Sequence, residues 1–373
     1  MRVALILPGL GRVQRGAETA FLEVARGLSR RGVHVELFGS GTEGTEGLIT
    51  HVVPCLDRRH FENWPSLPGL RTETVYEELT FALSLLHSGA YRPERFDFTL
   101  TCTFPHIAWA LRWARRRGRG PRHVFVTQNG DWPCRRTNAE FRAFHCDGLV
   151  CINPEYYERH RHRYPAALIP NGVDPAPFAP EAVGPCPVDV PADRPVVLMV
   201  SALTASKRVD QAITALAGVP EAFLLVAGDG PLRGEIARLA EALLPGRHRL
   251  LGSMPRSQMP ALYRRANALL HTSLDEPFGI VYLEGAVSGL PVVAHDTPVT
   301  RWILGNTAVL TDTTNPAALV AALRRALGKD GQTLGQLARQ RVLADWTWDR
   351  QSALYLRFLS QLQSAWRPVR AGA

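Results

Sequence analysis

Short apolar runs alternate with amphipathic helical stretches along nearly the whole chain, and few folds satisfy that pattern. The runs at 3–7, 33–38, 96–101, 123–127, 148–152 and 167–169 are brief and continuously apolar, as strands buried on both faces are. A second series follows at 196–200, 223–227, 249–251, 268–271, 292–294 and 308–310. Helical periodicity lies between them, for example over 18–30, 234–244 and 258–266. Such alternation predicts parallel sheets covered by helices on both faces.

The two series are separated by a proline-rich stretch, 170–195, in which Asn171-Gly172 marks a turn. That composition suits an interdomain linker. The predicted fold is therefore α/β, with two doubly wound Rossmann-like domains facing a central cleft. Their expected spans are 1–180 and 181–349, and ligands are expected at the carboxyl ends of the strands. A chain of 373 residues has room for two such cores.

Composition narrows the class further. With 46% hydrophobic and 21% charged residues the chain is neither disordered nor a small disulfide scaffold. No apolar run approaches the ~20 residues of a membrane span. The opening run ends in Pro8-Gly9-Leu10-Gly11, which reads as a buried strand and not a cleaved leader. A cytoplasmic protein is the expectation. Cysteines 55, 102, 134, 146, 151 and 186 form no CxxC pair and read as buried free thiols.

The formal charge is +9, and only Lys207 and Lys329 among the 43 basic residues are lysines. A positive field favours anionic partners: a phosphorylated substrate, an anionic membrane surface or nucleic acid. Arg112–Arg122 and Tyr156–Tyr164 are locally basic and are candidates for contact with an anionic lipid or glycan. The plainer reading of each is a solvated helix face. Neither lies in a nucleic-acid-binding motif, so nucleic acid is set aside.

Chemistry concentrates in SLDEPFGIVYLEGAVSGLPVVA, residues 273–294. Glu276 sits in the loop after a strand, and Glu284 lies about 1.5 turns inside the next helix at 3.6 residues per turn. The amides of Phe278, Gly279 and Ile280 would open that helix. Two carboxylates near an anion-friendly helix N-terminus suit a polyol attached to a phosphate. A carboxylate that merely offsets the helix dipole, worth ~0.3–1 kcal/mol, is the competing role for Glu276.

The Glu-x7-Glu spacing, with EPFG and GLPVVA around it, resembles the donor site of glycosyltransferase family 4. Other motifs follow in the family's order: Arg15-Gly16-Ala17-Glu18, Pro170-Asn171-Gly172, SALTASKRVDQAITAL around Lys207, Gly228-Asp229-Gly230-Pro231 and LGSMPRSQMPALYRRANALLHTS. The resemblance implies the GT-B fold and a retaining transferase that takes a nucleotide-diphosphate sugar and a hydroxyl acceptor. It implies that Glu284 binds the ribose, that Glu276 and Lys207 are catalytic, and that Gly16 and Gly230 approach the donor. It also implies that segment 350–373 crosses back onto the first domain, burying Tyr355, Leu356, Leu359 and Leu362, with a hinge near 170–185.

Three positions depart from the family pattern. Ser201-Ala202 stands where Gly-Arg is usual, which leaves Arg208 to assist Lys207 with the diphosphate. Arg15 replaces a glycine. Asn129 stands where many members carry a histidine, and an amide cannot act as a base near neutral pH. Asp131, Trp132 and His106 are the further acceptor-side candidates. No Asp-x-Asp sequence is present, so no metal or other cofactor is expected, and Lys207, Arg208 and the amides at 278–280 would stabilise the leaving diphosphate. The alternatives are a nucleotide-sugar-binding protein without transfer activity and a sugar-nucleotide epimerase. A dinucleotide oxidoreductase is disfavoured because Gln14 occupies the third glycine position of its fingerprint.

Overall fold

The structure is a computed structural model of the chain and describes all residues except 14, 62, 117–119, 135–138, 183 and 366–373. Gln14, the centre of the first basic stretch and Trp366 thus lie outside the described residues. The contacts divide the chain into two units, the first being Met1–Asn171 together with the helix that begins at Trp348, and the second Gly172–Thr347.

The first unit is built on a seven-stranded sheet of β1 (Arg2–Ile6), β2 (His34–Gly39), β3 (Ile49–Val52), β4 (Phe98–Thr101), β5 (Arg122–Val126), β6 (Gly148–Cys151) and β7 (Ala166–Leu168). Its order is β3-β2-β1-β4-β5-β6-β7, and every pair is parallel. Leu5 on β1 sits beside Leu37 on one side and Leu100 on the other, so the middle of the sheet is largely apolar. Helices α1 (Gly16–Arg30), α2 (Glu73–His87) and α3 (His106–Arg116) contribute the covering layers. Phe81, Leu85 and Ile107 close over Ile6 and Phe38, while Phe104, Phe125 and Phe144 form a second cluster.

The second unit carries β8 (Val196–Val200), β9 (Phe223–Ala227), β10 (His248–Gly252), β11 (Ala268–His271), β12 (Val292–His295) and β13 (Val309–Thr311) in the order β10-β9-β8-β11-β12-β13. All of its pairs are parallel as well. Both sheets reverse direction of winding beside their first strand, between β1 and β4 and between β8 and β11. Those switch points are where an open parallel sheet leaves a crevice for ligand.

Four expectations are corrected. The units divide at Asn171/Gly172, not at 180/181. Val173 N–H donates to Trp346 O at 2.9 Å, and Phe178 meets the Tyr263 ring edge-on, so the segment before 180 packs with the second unit. The returning helix begins at Trp348 and ends at Ser364. Its buried stripe uses Phe358 in place of Leu356 and Leu362, which are half-buried, because Tyr355, Phe358 and Leu359 share the inward face and Phe358 packs at Gly148 of β6. The sixth thiol reading also fails in part, since Cys134 is exposed and Cys55 and Cys186 are half-buried; all six cysteines are free.

Candidate functional site

In the second unit the crevice at β8/β11 gathers the predicted donor residues. Beyond β8 the chain makes a tight turn through Ala205–Lys207, and Arg208 follows in the left-handed region at φ 53°. The end of β11 holds that turn. Thr272 Oγ1 donates to the carbonyls of Lys207 and Arg208, each at 2.9 Å, and Ser273 Oγ donates to Ser206 O at 3.2 Å. Lys207 is thereby aimed at the loop that carries Glu276, and its Nζ lies 2.5 Å from Glu276 Oε2.

His271, the last residue of β11, points Nε2 at the same Oε2 from 3.1 Å. Burial pushes the Glu276 carboxyl up, but the His271 hydrogen bond and the Lys207 charge outweigh it and bring the group down to about 2. Glu276 is therefore an anion throughout the physiological range.

The chain then reaches Gly279, at φ 74°, where a Cβ would strike the Tyr282 ring. Glycine is needed to start the helix Ile280–Val287 at that angle. Phe278 is buried against Trp302 and Trp346, so only its backbone is free to meet a ligand. The amides of Phe278, Gly279 and Ile280 have no acceptor among the described residues. The Arg208 guanidinium makes no hydrogen bond among the described residues, though its charge reaches the exposed Asp312 carboxylate.

Glu284 is not a solvated helix residue. It is buried, with Tyr263 Oη donating to Oε2 at 2.7 Å and Arg256 Nη1 at 3.4 Å from Oε1. Gly228 and Gly230 serve packing. A Cβ at either would collide with the carbonyl of Ser201 or Leu203, because those loops are stitched together by Leu203 N–H to Asp229 O at 3.0 Å.

The first unit places a cavity of about 500 Å³ at its own switch point. Leu7, Pro8 and Gly9 from the end of β1 line it, together with Thr103 and Phe104 from the end of β4. Gly16 and the Arg15–Glu18 pair, 2.7 Å apart, come from the start of α1. Asn129 and Trp132 follow β5, and α2 adds Glu77 and Glu78. Glu77 is buried and held by Arg12 and by Arg58, the latter at 2.7 Å. Glu78 accepts the Ile107 N–H at 2.9 Å and has no cation beside it among the described residues, and burial pushes its carboxyl up to about 8. The cavity has the size for a small ligand, and Glu77, Glu78, Gln128 and Asn129 set a few polar groups into a mostly apolar lining.

Two acceptor-side candidates do not line this cavity. Asp131 is buried with His160 at 2.5 Å and Arg159 against its carboxylate; burial raises it, but these partners hold it below its ordinary value. His106 is tied through Nε2 to Gly69 O at 2.9 Å, and burial lowers it. Both are engaged by partners within the first unit and stand apart from the cavity lining. Among the described residues of the basic stretches, Arg115 pairs with Asp147, Arg122 with Leu362 O, and Arg161 with Glu158 at 2.8 Å. Residues that the sequence reading passed over are His271, Tyr263 and Arg256 in the second unit and Glu77 and Glu78 in the first. Only His271 left a trace, as a polar residue closing an apolar strand. No helix among the described residues is long and apolar enough to cross a membrane.

Residues 14–177 match the family model described as Glycosyltransferase Family 4, and residues 187–341 the one described as Glycosyl transferases group 1. A D-inositol 3-phosphate glycosyltransferase of Salinispora tropica is 28% identical over 92% of this chain and 80% of its own length. Among solved structures, sucrose-phosphate synthase from Thermosynechococcus elongatus superposes with a TM-score of 0.77 over 98% of this chain and 100% of that one, at 21% identity. Anabaena HepE, solved in complex with UDP and glucose, gives 0.71 over 96% and 99% at 16% identity. With both halves matched in chain order and both parallel sheets in place, the chain belongs to glycosyltransferase family 4 and has the GT-B fold.

Proposed function

We propose that this glycosyltransferase takes its sugar from a nucleotide diphosphate and transfers it, with retention and without a metal, to a hydroxyl of a small polyol. The observation that carries the reading is Lys207 Nζ at 2.5 Å from Glu276 Oε2, beside the open amides at 278–280. A diphosphate set against those amides draws Lys207 and Arg208, whose charged hydrogen bonds contribute about 1.5–3 kcal/mol each. Glu284 accepts from the ribose hydroxyls. Glu276 accepts from a hydroxyl of the donor sugar and supports positive character at its anomeric carbon. The bond from that carbon to the diphosphate breaks as the acceptor oxygen bonds on the same face, and the departing phosphate oxygen takes the acceptor proton. Asn129 then needs only to position a hydroxyl, which an amide does.

In this reading the acceptor occupies the first unit's cavity, and Trp132 gives it an apolar platform. The D-inositol 3-phosphate named in the Salinispora relative is of that polyol class. Residence in the cytoplasm is part of the proposal. A peripheral membrane contact would use Arg112 and the exposed Trp113.

The test is thermal stabilisation by UDP, GDP, ADP, TDP and CMP in buffer with EDTA. Ligand at ~100 times its dissociation constant adds about 2.7 kcal/mol to the folded state. One diphosphate should stabilise selectively, and Lys207→Ala should abolish the shift. No shift with any of them, or one that requires added divalent metal, would overturn the donor site as described.

A further inference from the structure

We infer that His271 is a positioning residue for Glu276, holding one carboxylate oxygen so that the other meets the donor sugar while Lys207 is free to turn to the diphosphate. This rests on the donor reading above and adds a residue to it. Lys207 and His271 both approach Oε2, at 2.5 and 3.1 Å, whereas Oε1 has no partner among the described residues. An ionised carboxylate only accepts, so Nε2 of His271 carries the hydrogen. Nδ1 is buried without a partner, and a proton there would bury an unsatisfied N–H. His271 therefore donates from Nε2, and its orientation is fixed by the Tyr282 ring, packed edge-on at 5.2 Å and 88°.

The need for such a residue follows from the double use of Lys207. In the ligand-free site its ammonium is spent on Glu276. A diphosphate competes for that ammonium, and Glu276 would then keep only one donor to fix its direction and its charge. His271 is suited to this because it sits at the end of a fully buried strand, is 3% exposed, and cannot follow the phosphate. The titratable groups facing Glu276 are Lys207 from the turn after β8, His271 from β11 and Tyr282 from the helix Ile280–Val287; burial and the neighbouring carboxylate push the Tyr282 hydroxyl far up, leaving it neutral. Burial raises the Glu276 carboxyl, and the two nitrogen donors outweigh it and bring Glu276 down to about 2.

The experiment compares wild type, His271→Leu and His271→Gln; glutamine returns an N–H near the position of Nε2. Carbon-13 NMR of labelled glutamate carboxyls follows the Glu276 titration, assigned by its loss in Glu276→Gln. Hydrolysis of the sugar nucleotide whose diphosphate stabilises the protein is measured in parallel from pH 4 to 9. In His271→Leu, Glu276 should titrate at higher pH, toward the ordinary ~4.3, turnover should fall at least about tenfold with its acid limb moved up, and diphosphate stabilisation should persist. His271→Gln should restore most of the turnover. Wild-type turnover and an unmoved Glu276 titration in His271→Leu would overturn the inference, as would a glutamine variant no better than leucine. Failure of the donor reading itself would look different, with no diphosphate stabilisation in the wild type, while the NMR titration would still report on the His271–Glu276 bond.

Discussion

Arg208 is the one non-glycine residue with positive φ among the described residues, and it occupies the turn that aims Lys207. A left-handed conformation costs a residue with a Cβ roughly 1–2 kcal/mol. The turn persists because Thr272 grips the carbonyls on either side of Arg208, those of Lys207 and of Arg208 itself. Strain kept at a ligand site points to a side chain worth keeping there. Arg208→Gly relieves the backbone and removes the guanidinium, whereas Arg208→Ala removes only the guanidinium. The glycine variant should melt several degrees higher than wild type, by ~1 kcal/mol, yet lose much of its stabilisation by nucleoside diphosphate. Thermal melts of both variants with and without the diphosphate check this. Undiminished stabilisation in both would show that Arg208 does not touch phosphate.

At the scale of elements, Glu78 belongs to α2 but completes α3, whose first-turn amide at Ile107 it accepts. Its carboxyl is buried and titrates near 8 in the fold, against 4.5 without burial. The folded state therefore binds the proton more tightly than the unfolded chain. Glu78 contributes most below about pH 4.5, and that contribution is lost as pH rises toward 8. Glu78→Gln keeps an acceptor for Ile107 and removes the titration. In urea unfolding the variant should match wild type near pH 4.5 and exceed it at pH 9 by an amount on the order of a few kcal/mol. A difference that does not change with pH would show that Glu78 is already ionised. None of this was legible in the sequence, where a glutamate in an amphipathic helix reads as solvent-facing; its burial depends on where α3 begins, a tertiary fact. The strands were far more legible, because a parallel strand covered on both faces is mostly apolar on both, with only scattered buried polar residues such as Glu36 and Thr99. The exception, β3, is an edge strand in which Ile49 and Val52 are exposed, so Thr50 and His51 interrupt the signal. In the second unit Glu276 and Glu284 were singled out by their spacing and Lys207 by the family resemblance, and the structure brings Lys207 and Glu276 together. Tyr263 and His271 were not, since each acquires its role only when the strand ends converge.

For the whole molecule, the chain leaves the first unit at Asn171 and returns to it at Trp348. The returning helix lies on α1, where Arg31 binds Asp349 at 2.8 Å and Ser352 Oγ at 3.1 Å, and where Gly27 leaves room for Ser352. One end of α1 thus anchors the last described helix, and the other end brings Gly16 and the preceding Arg15 to the first unit's cavity. Gly27→Leu would gain about 1 kcal/mol of helix propensity, but the side chain has no space against Ser352, and overpacking of this kind costs typically 1–3 kcal/mol or more. The collision wins. Hydrogen exchange followed by mass spectrometry should show 16–30 and 348–364 losing protection together in this variant. Added diphosphate should still protect 201–208 and 271–287, because Lys207, Glu276 and the amides that meet the ligand all belong to the second unit. Loss of that ligand protection in Gly27→Leu would mean that the two units fold as one cooperative body, and that a donor site assembled wholly within the second unit still depends on the first for its stability.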